Sequence, residues 1–225
     1  MVCSDNTDNL GDSKTISGKE YFIVNEALLR EFTTTGSFTT GGTNYTPVDE
    51  SCLCTTRVTN MGTLFKDRPT FNTQSFNINI SNWDVSNVTS FQEMFDGAQS
   101  FNQDIGNWDT SSAVNMIGMF QGAVNFNQDV SNWNTSSVTR LDRTFRNAQD
   151  FNNGASAGAS TTLSWDVSNV TKMEETFYNA SDFNAHLSGW DTGNVTNMKS
   201  MFRELIIPLY IKIIYLLIVI DSNLT

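Results

Sequence analysis

Tryptophan recurs along this chain at a fixed interval, and such a period decides the architecture before any single residue is considered. Trp83, Trp108 and Trp133 are spaced by 25 residues, Trp165 follows after 32, and Trp190 after 25 again. The long gap has a local cause. Between Phe151 and Trp165 runs Asn-Asn-Gly-Ala-Ser-Ala-Gly-Ala-Ser-Thr-Thr-Leu-Ser, seven residues longer than the stretch from Phe126 to Trp133. Its Gly, Ala and Ser read as an insertion looped out near 154–161, and removing it restores the period.

With tryptophan as position 1, the other columns fill regularly. Position 6 holds Val88, Ala113, Val138, Val170 and Val195, and position 9 holds Phe91, Met116, Leu141, Met173 and Met198. Position 13 is always Phe (Phe95, Phe120, Phe145, Phe177, Phe202), and position 19 is Phe101, Phe126, Phe151 and Phe183, each followed by Asn. Position 16 is Ala98, Ala123, Ala148 and Ala180. A degenerate earlier copy shows in Val58, Met61, Phe65, Phe76 and Asn77, with about five extra residues near Pro69.

Apolar positions 9, 12, 13 and 16 follow i, i+3, i+4, i+7, which predicts a short helix. The preceding Ser-Asn-Val-Thr alternates polar and β-branched residues, which predicts a short strand. The expected fold is an α/β repeat solenoid of five to six rungs, each a short strand plus a short helix. One such unit buries about five large side chains, on the order of 10 kcal/mol gross. Ordering its backbone at about 1–2 kcal/mol per residue costs more, so neighbours must cover its faces.

Composition narrows the function. The chain has 24 acidic and 13 basic residues and a formal charge of -11, a field that repels nucleic acid and disfavours an anionic membrane surface. A single histidine, His186, removes most metal sets and most nucleophile–base pairs. The cysteines, Cys3, Cys52 and Cys54, are odd in number and read as ordinary thiols rather than a disulfide framework; a strained Cys52–Cys54 bridge is the alternative. No cofactor and no metal site is expected, and no catalytic residues stand out. Glu174 and Glu175, or the Asp column at position 2, nominally supply paired carboxylates for a hydrolase, but every acidic residue has a simpler role within the repeat or lies on a polar face.

The ends differ from the array. Residues 1–18 read as linker or disordered, with no signal peptide visible at the N-terminus. Residues 19–57 read as a capping segment and loop: Tyr21–Val24 as a strand, Glu26–Phe32 as a short helix capped by Asn25, then a Thr- and Gly-rich stretch. The repeats occupy 58–203, and 204–225 form a hydrophobic tail. Its apolar run, Leu205 to Ile220, is 16 residues interrupted by Pro208 and Lys212, against about 20 for a spanning helix. A membrane anchor, an apolar cap and a tail from an imperfect gene model remain open readings.

The candidate binding face is the polar part of the expected strands. It comprises Asn87 and Thr89, Ser112 and Val114, Ser137 and Thr139, Asn169 and Thr171, and Asn194 and Thr196. Such a row suits many weak contacts to a protein or a glycan; a plain spacer is the competing reading. Two further columns read as structural. Asn77, Asn102, Asn127, Asn152 and Asn184 suit a ladder that satisfies buried turns. Asp84, Asp109, Asp166 and Asp191 suit turn caps better than a calcium site.

The strings Asn-Trp-Asp-Val-Ser-Asn-Val-Thr, Met-Phe-x-Gly-Ala and Phe-Asn-Gln-Asp-Ile resemble the mycoplasma-type lipoprotein repeat, related to BspA-like leucine-rich-repeat surface proteins. The resemblance runs from about Val58 to Phe202. The segment Gly-Lys-Glu-Tyr-Phe-Ile-Val-Asn-Glu-Ala-Leu-Leu-Arg-Glu-Phe resembles what often precedes the first repeat in such proteins. It implies a leucine-rich-repeat-like, right-handed stack, exposed at a cell surface and engaged in adhesion or partner binding. It brings no catalytic residues.

Overall fold

A computed structural model describes residues 13–16, 19–35, 37–40, 43–45, 53–66 and 76–205. Cys3, Cys52, the interruption near Pro69 and residues 206–220 of the apolar run lie outside the described residues.

The N-terminal segment is a small sheet with a helix beside it. Strand β1 (Ser13–Ile16), within the stretch read as linker, pairs antiparallel with β2 (Lys19–Ile23), and β2 pairs parallel with β5 (Leu53–Cys54). Helix α1 (Glu26–Thr35) starts where the sequence predicts: Asn25 Oδ1 accepts the N–H of Leu28 at 3.0 Å. A hairpin of β3 (Phe38–Thr40) and β4 (Thr43–Tyr45) follows. The helix buries Leu28, Leu29 and Phe32. It is tied to the first repeat unit by Arg30, which donates to the carbonyls of Gly62 (3.0 Å) and Asn60 (3.3 Å), and by Glu26, which accepts from the Thr59 hydroxyl (2.7 Å).

The repeats are not built as expected. The α/β, leucine-rich-repeat-like right-handed solenoid with a strand and a helix in each rung is not what the chain forms. Among the described residues there is one α-helix, α1, and it precedes the repeats. No alternation of strand and helix follows it; the repeat units are made of turns. Each predicted strand shrinks to one bridging residue, giving parallel bridges Asn60↔Ser90, Ser90↔Asn115, Asn115↔Arg140, Arg140↔Lys172 and Lys172↔Asn197. The chain is extended for so short a distance because it leaves one turn (Val88 N–H to Val85 carbonyl, 2.9 Å) and enters the next (Met94 N–H to Phe91 carbonyl, 3.1 Å).

The predicted helix is replaced by successive turns, and the backbone hydrogen bonds explain why. At positions 9, 11, 13 and 15 the N–H donates to the next unit: Phe91 to Asn115, Glu93 to Ile117, Phe95 to Met119 and Gly97 to Gln121, at 2.8–2.9 Å. At positions 12 and 16 it closes a tight turn within the unit, as Met94 does to Phe91 and Ala98 to Phe95. Every fourth residue is left-handed: φ is 53° at Glu93, 57° at Gly118, 58° at Arg143 and 56° at Glu175, and again 76° at Gly97 and 67° at Gly122. Those angles exclude an α-helix. A helix of two turns is marginal by itself, whereas donors turned toward a neighbour gain a partner in every unit.

The side-chain pattern survives the change of backbone. Phe91, Met94, Phe95 and Ala98 are fully buried, as are their counterparts in the next three units; in the last, Met198 and Phe202 are partly buried. Ring columns run through the units: Phe95–Phe120, Phe120–Phe145 and Phe145–Phe177 lie 5.4, 5.4 and 5.6 Å apart, nearly parallel. Trp108–Trp133 and Trp133–Trp165 lie at 6.4 and 6.0 Å. Each later indole N–H reaches back to a carbonyl of the preceding unit, Trp133 to Ile105 at 3.0 Å and Trp165 to Val130 at 2.9 Å. A single apolar cluster extends from Phe22 to Leu205.

The insertion loops out and returns in register. Asn152 donates to the carbonyls of Ser156 (3.0 Å) and Ala159 (2.9 Å), and Asn153 to that of Thr162 (3.0 Å). Its end forms β6 (Thr161–Thr162), parallel to β7 (Ala185–His186) in the following unit.

Candidate binding surface

The ten residues singled out from the sequence fall at positions 5 and 7 of successive units. Asn87, Thr89, Val114, Ser137, Asn169, Thr171, Asn194 and Thr196 are exposed, and Ser112 and Thr139 half-exposed. The row is in register because position 7 carries an inter-unit hydrogen bond: the N–H of Val114 donates to Thr89, Thr139 to Val114, Thr171 to Thr139 and Thr196 to Thr171, at 2.9–3.0 Å.

The polar side chains of this row are partly occupied. Asn87, Asn169 and Asn194 donate their Nδ2 to carbonyls of the preceding unit, Thr56, Ser136 and Ser168, at 2.9, 2.8 and 2.7 Å. The hydroxyls of Thr89, Thr139, Thr171 and Thr196 donate in the same direction at 3.2, 3.3, 3.2 and 3.0 Å. These bonds hold units together and fix the side chains so that their oxygens are available as acceptors.

The two columns read as structural behave so. Successive asparagines form a ladder in which the N–H of Asn102 meets Asn77 Oδ1 (2.9 Å), Asn127 meets Asn102 (3.0 Å), Asn152 meets Asn127 (2.8 Å) and Asn184 meets Asn152 (2.9 Å). The position 2 side chains close a turn on the residue two ahead: Asp84 on Ser86, Asp109 on Ser111, Asn134 on Ser136, Asp166 on Ser168 and Asp191 on Gly193, all near 3.0 Å. Burial works against the Asp84 carboxylate, but the hydroxyl and N–H of Ser86 outweigh it and hold its pKa below the ordinary value. The Ser168 hydroxyl and N–H do the same for Asp166.

A second surface went unnoticed in the sequence. All six Lys and Arg residues between Trp83 and Leu205 fall at positions 8 to 14 of the last three units: Arg140, Arg143, Arg146, Lys172, Lys199 and Arg203. Laying the charges out by column would have found it. On this surface a hollow of ≈ 230 Å³ is lined by Arg140, Asp142, Arg143, Glu174 and Glu175. Arg140 pairs with Asp142 (2.6 Å), Arg146 with Glu175 (3.1 Å), and Glu174 accepts from Asn197 (3.0 Å). The guanidinia of Arg146 and Arg203, from the units on either side, sit 5.3 and 6.0 Å from the Tyr178 ring. Toward the first unit the charge pattern is different: Lys66 is gripped by Glu93 (2.6 Å) and Asp96 (2.8 Å), whose hydrogen bonds raise its pKa above the ordinary lysine value.

The cysteine reading is corrected at one position: Cys54 is disulfide-bonded rather than an ordinary thiol. Among the described residues no group of three or more His, Cys, Asp or Glu is placed to hold a metal ion. No helix of the described residues is long and apolar enough to cross a membrane.

The family model described as "Mycoplasma protein of unknown function, DUF285" matches residues 46–158 and again 157–206. No curated protein and no solved structure matches the chain.

Proposed function

The chain belongs to the mycoplasma DUF285 family, and on that premise we propose that it is a non-enzymatic, surface-type binding or adhesion module. On this reading it is kin to the BspA-like surface proteins. The partner is a protein or a glycan, and it docks along the row at positions 5 and 7. The observation that carries the proposal is the chemistry of that row: exposed small polar groups repeat in register, held there by hydrogen bonds from their Asn and Thr side chains to the preceding unit. The side-chain oxygens of such a row suit a partner that brings donors, such as sugar hydroxyls or the N–H groups of an extended peptide. The Cys54 disulfide supports a place outside the cytoplasm, where such bonds persist.

The test is binding to a panel of glycans and matrix proteins by the whole chain and by a variant carrying Ser112→Lys, Ser137→Lys and Thr171→Lys. A bound panel member whose affinity falls at least about tenfold supports the reading, that being the loss of one good charge-free contact set. Binding unaltered by all three changes, in a variant that unfolds at the same urea concentration as the parent, overturns it.

A further inference from the structure

We propose that the hollow between the units of Trp133 and Trp165 is a second binding site, distinct from the polar row, and that it takes a carboxylate-bearing sugar of the uronic acid type. The argument begins with an imbalance. The chain carries a charge of -11, yet its repeat units from Trp83 onward keep all their cations on one surface of three units. Three of these six have their charge engaged, Arg140 by Asp142, Arg146 by Glu175 and Arg203 by Glu204. Arg143, Lys172 and Lys199 make no ion pair among the described residues. Arg143 lines the hollow itself, so one guanidinium fork there stands ready for a planar anion, and a carboxylate matches that fork with two parallel hydrogen bonds.

The rest of the lining decides what carries the carboxylate. Glu174, Glu175 and Asp142 each have one oxygen occupied by Asn197, Arg146 and Arg140 respectively. Their remaining lone pairs accept hydrogen bonds from hydroxyl groups. One cation fork set among three carboxylates therefore recognises a molecule with one acid group and several hydroxyls. A phosphodiester chain offers few hydroxyls to these three carboxylates and a sugar acid offers several, which favours a sugar acid over nucleic acid. A hollow of ≈ 230 Å³ is of the size of a single sugar ring, and Lys172, in one of the two units that line it, and Lys199, in the next unit, lie where the next acidic residue of a chain would pass.

Isothermal titration of the whole chain with a tetrasaccharide alternating glucuronate and N-acetylglucosamine, at about 0.15 M salt, tests this. The expected result is saturable binding, lost roughly tenfold or more in Arg143→Gln and weakened less in Lys172→Gln. Arg143→Lys restores it only in part, because an ammonium lacks the fork. The same tetrasaccharide with its carboxyls reduced to alcohols does not bind. The triple-lysine variant of the polar row keeps the binding, which separates this site from the row. Three results overturn the proposal: no binding by the parent chain, equal binding of the reduced sugar, or equal binding of a single-stranded oligonucleotide of the same charge.

Discussion

The N–H of Asn152 donates to Oδ1 of Asn127 at 2.8 Å, across one full repeat of the sequence. The same oxygen accepts from Gly154 (3.0 Å), and the Asn127 amide donates to Ala155 (2.8 Å), so one side chain closes a unit and anchors the insertion that follows. Asn152 is fully buried. Replacing Asn127 with Ala orphans a buried donor and costs about 2–3 kcal/mol of unfolding free energy. Asn102→Ala, in an exposed part of the same ladder, costs less. Urea unfolding of the two variants ranks them, and equal losses would contradict the role given to burial.

Trp133 separates packing from hydrogen bonding. Its ring lies between Trp108 and Trp165, and its Nε1 donates to Ile105. Trp133→Phe keeps an aromatic ring and removes one of the two donors to the Ile105 carbonyl, which still accepts from the Trp108 N–H, at a cost of about 0.5–1.5 kcal/mol. Trp133→Ala adds a cavity in the stack and costs about 3–5 kcal/mol. Urea midpoints in the opposite order would show that ring stacking contributes little.

Gly106 is required by close approach. A Cβ built there runs into the carbonyl oxygen of Asp129 in the following unit, a backbone atom that cannot swing aside. Gly106→Ala forces two units apart and destabilises by about 1–3 kcal/mol or more. Gly189→Ala, where a Cβ meets nothing within 4 Å, is the control and stays near neutral. A thermal melt of both variants checks the contrast.

Acid sensitivity follows from the turn caps. The Asp166 carboxylate has a lowered pKa because Ser168 donates to it from hydroxyl and N–H. A group depressed on folding stabilises the fold above its unfolded pKa, about 3.9, and that contribution disappears as pH falls through the folded value. Asp166→Asn keeps the turn, as Asn134 does in its own unit. The variant is expected to unfold like the parent near neutral pH and to lose less stability below about pH 4. Parallel pH profiles for the two proteins would refute the assignment.

Much of this was legible beforehand. The tryptophan interval located the units, and the insertion near 154–161 is where Asn152 and Asn153 pin a loop. The Asn ladder and the Asp caps follow from short polar side chains recurring beside turns. Asn25 announced helix α1. The strands and helices of the repeats were misread, because burial at i, i+3, i+4, i+7 is produced equally by a helix and by tight turns with a left-handed residue between them. Phe91, Met94, Phe95 and Ala98 are buried in either case. The cationic surface was missed because Arg140, Lys172 and Lys199 are 27 to 59 residues apart in the chain and meet only when the columns are aligned.

What the sequence determined by itself is which side chains turn inward and how often they recur, since hydrophobic burial depends on side-chain chemistry and spacing. The tertiary structure alone decided the backbone. The N–H of Phe91 has a choice between a carbonyl of its own unit and that of Asn115 in the next. No pattern of side chains within one unit records that choice, because it depends on a neighbour being present to accept the bond.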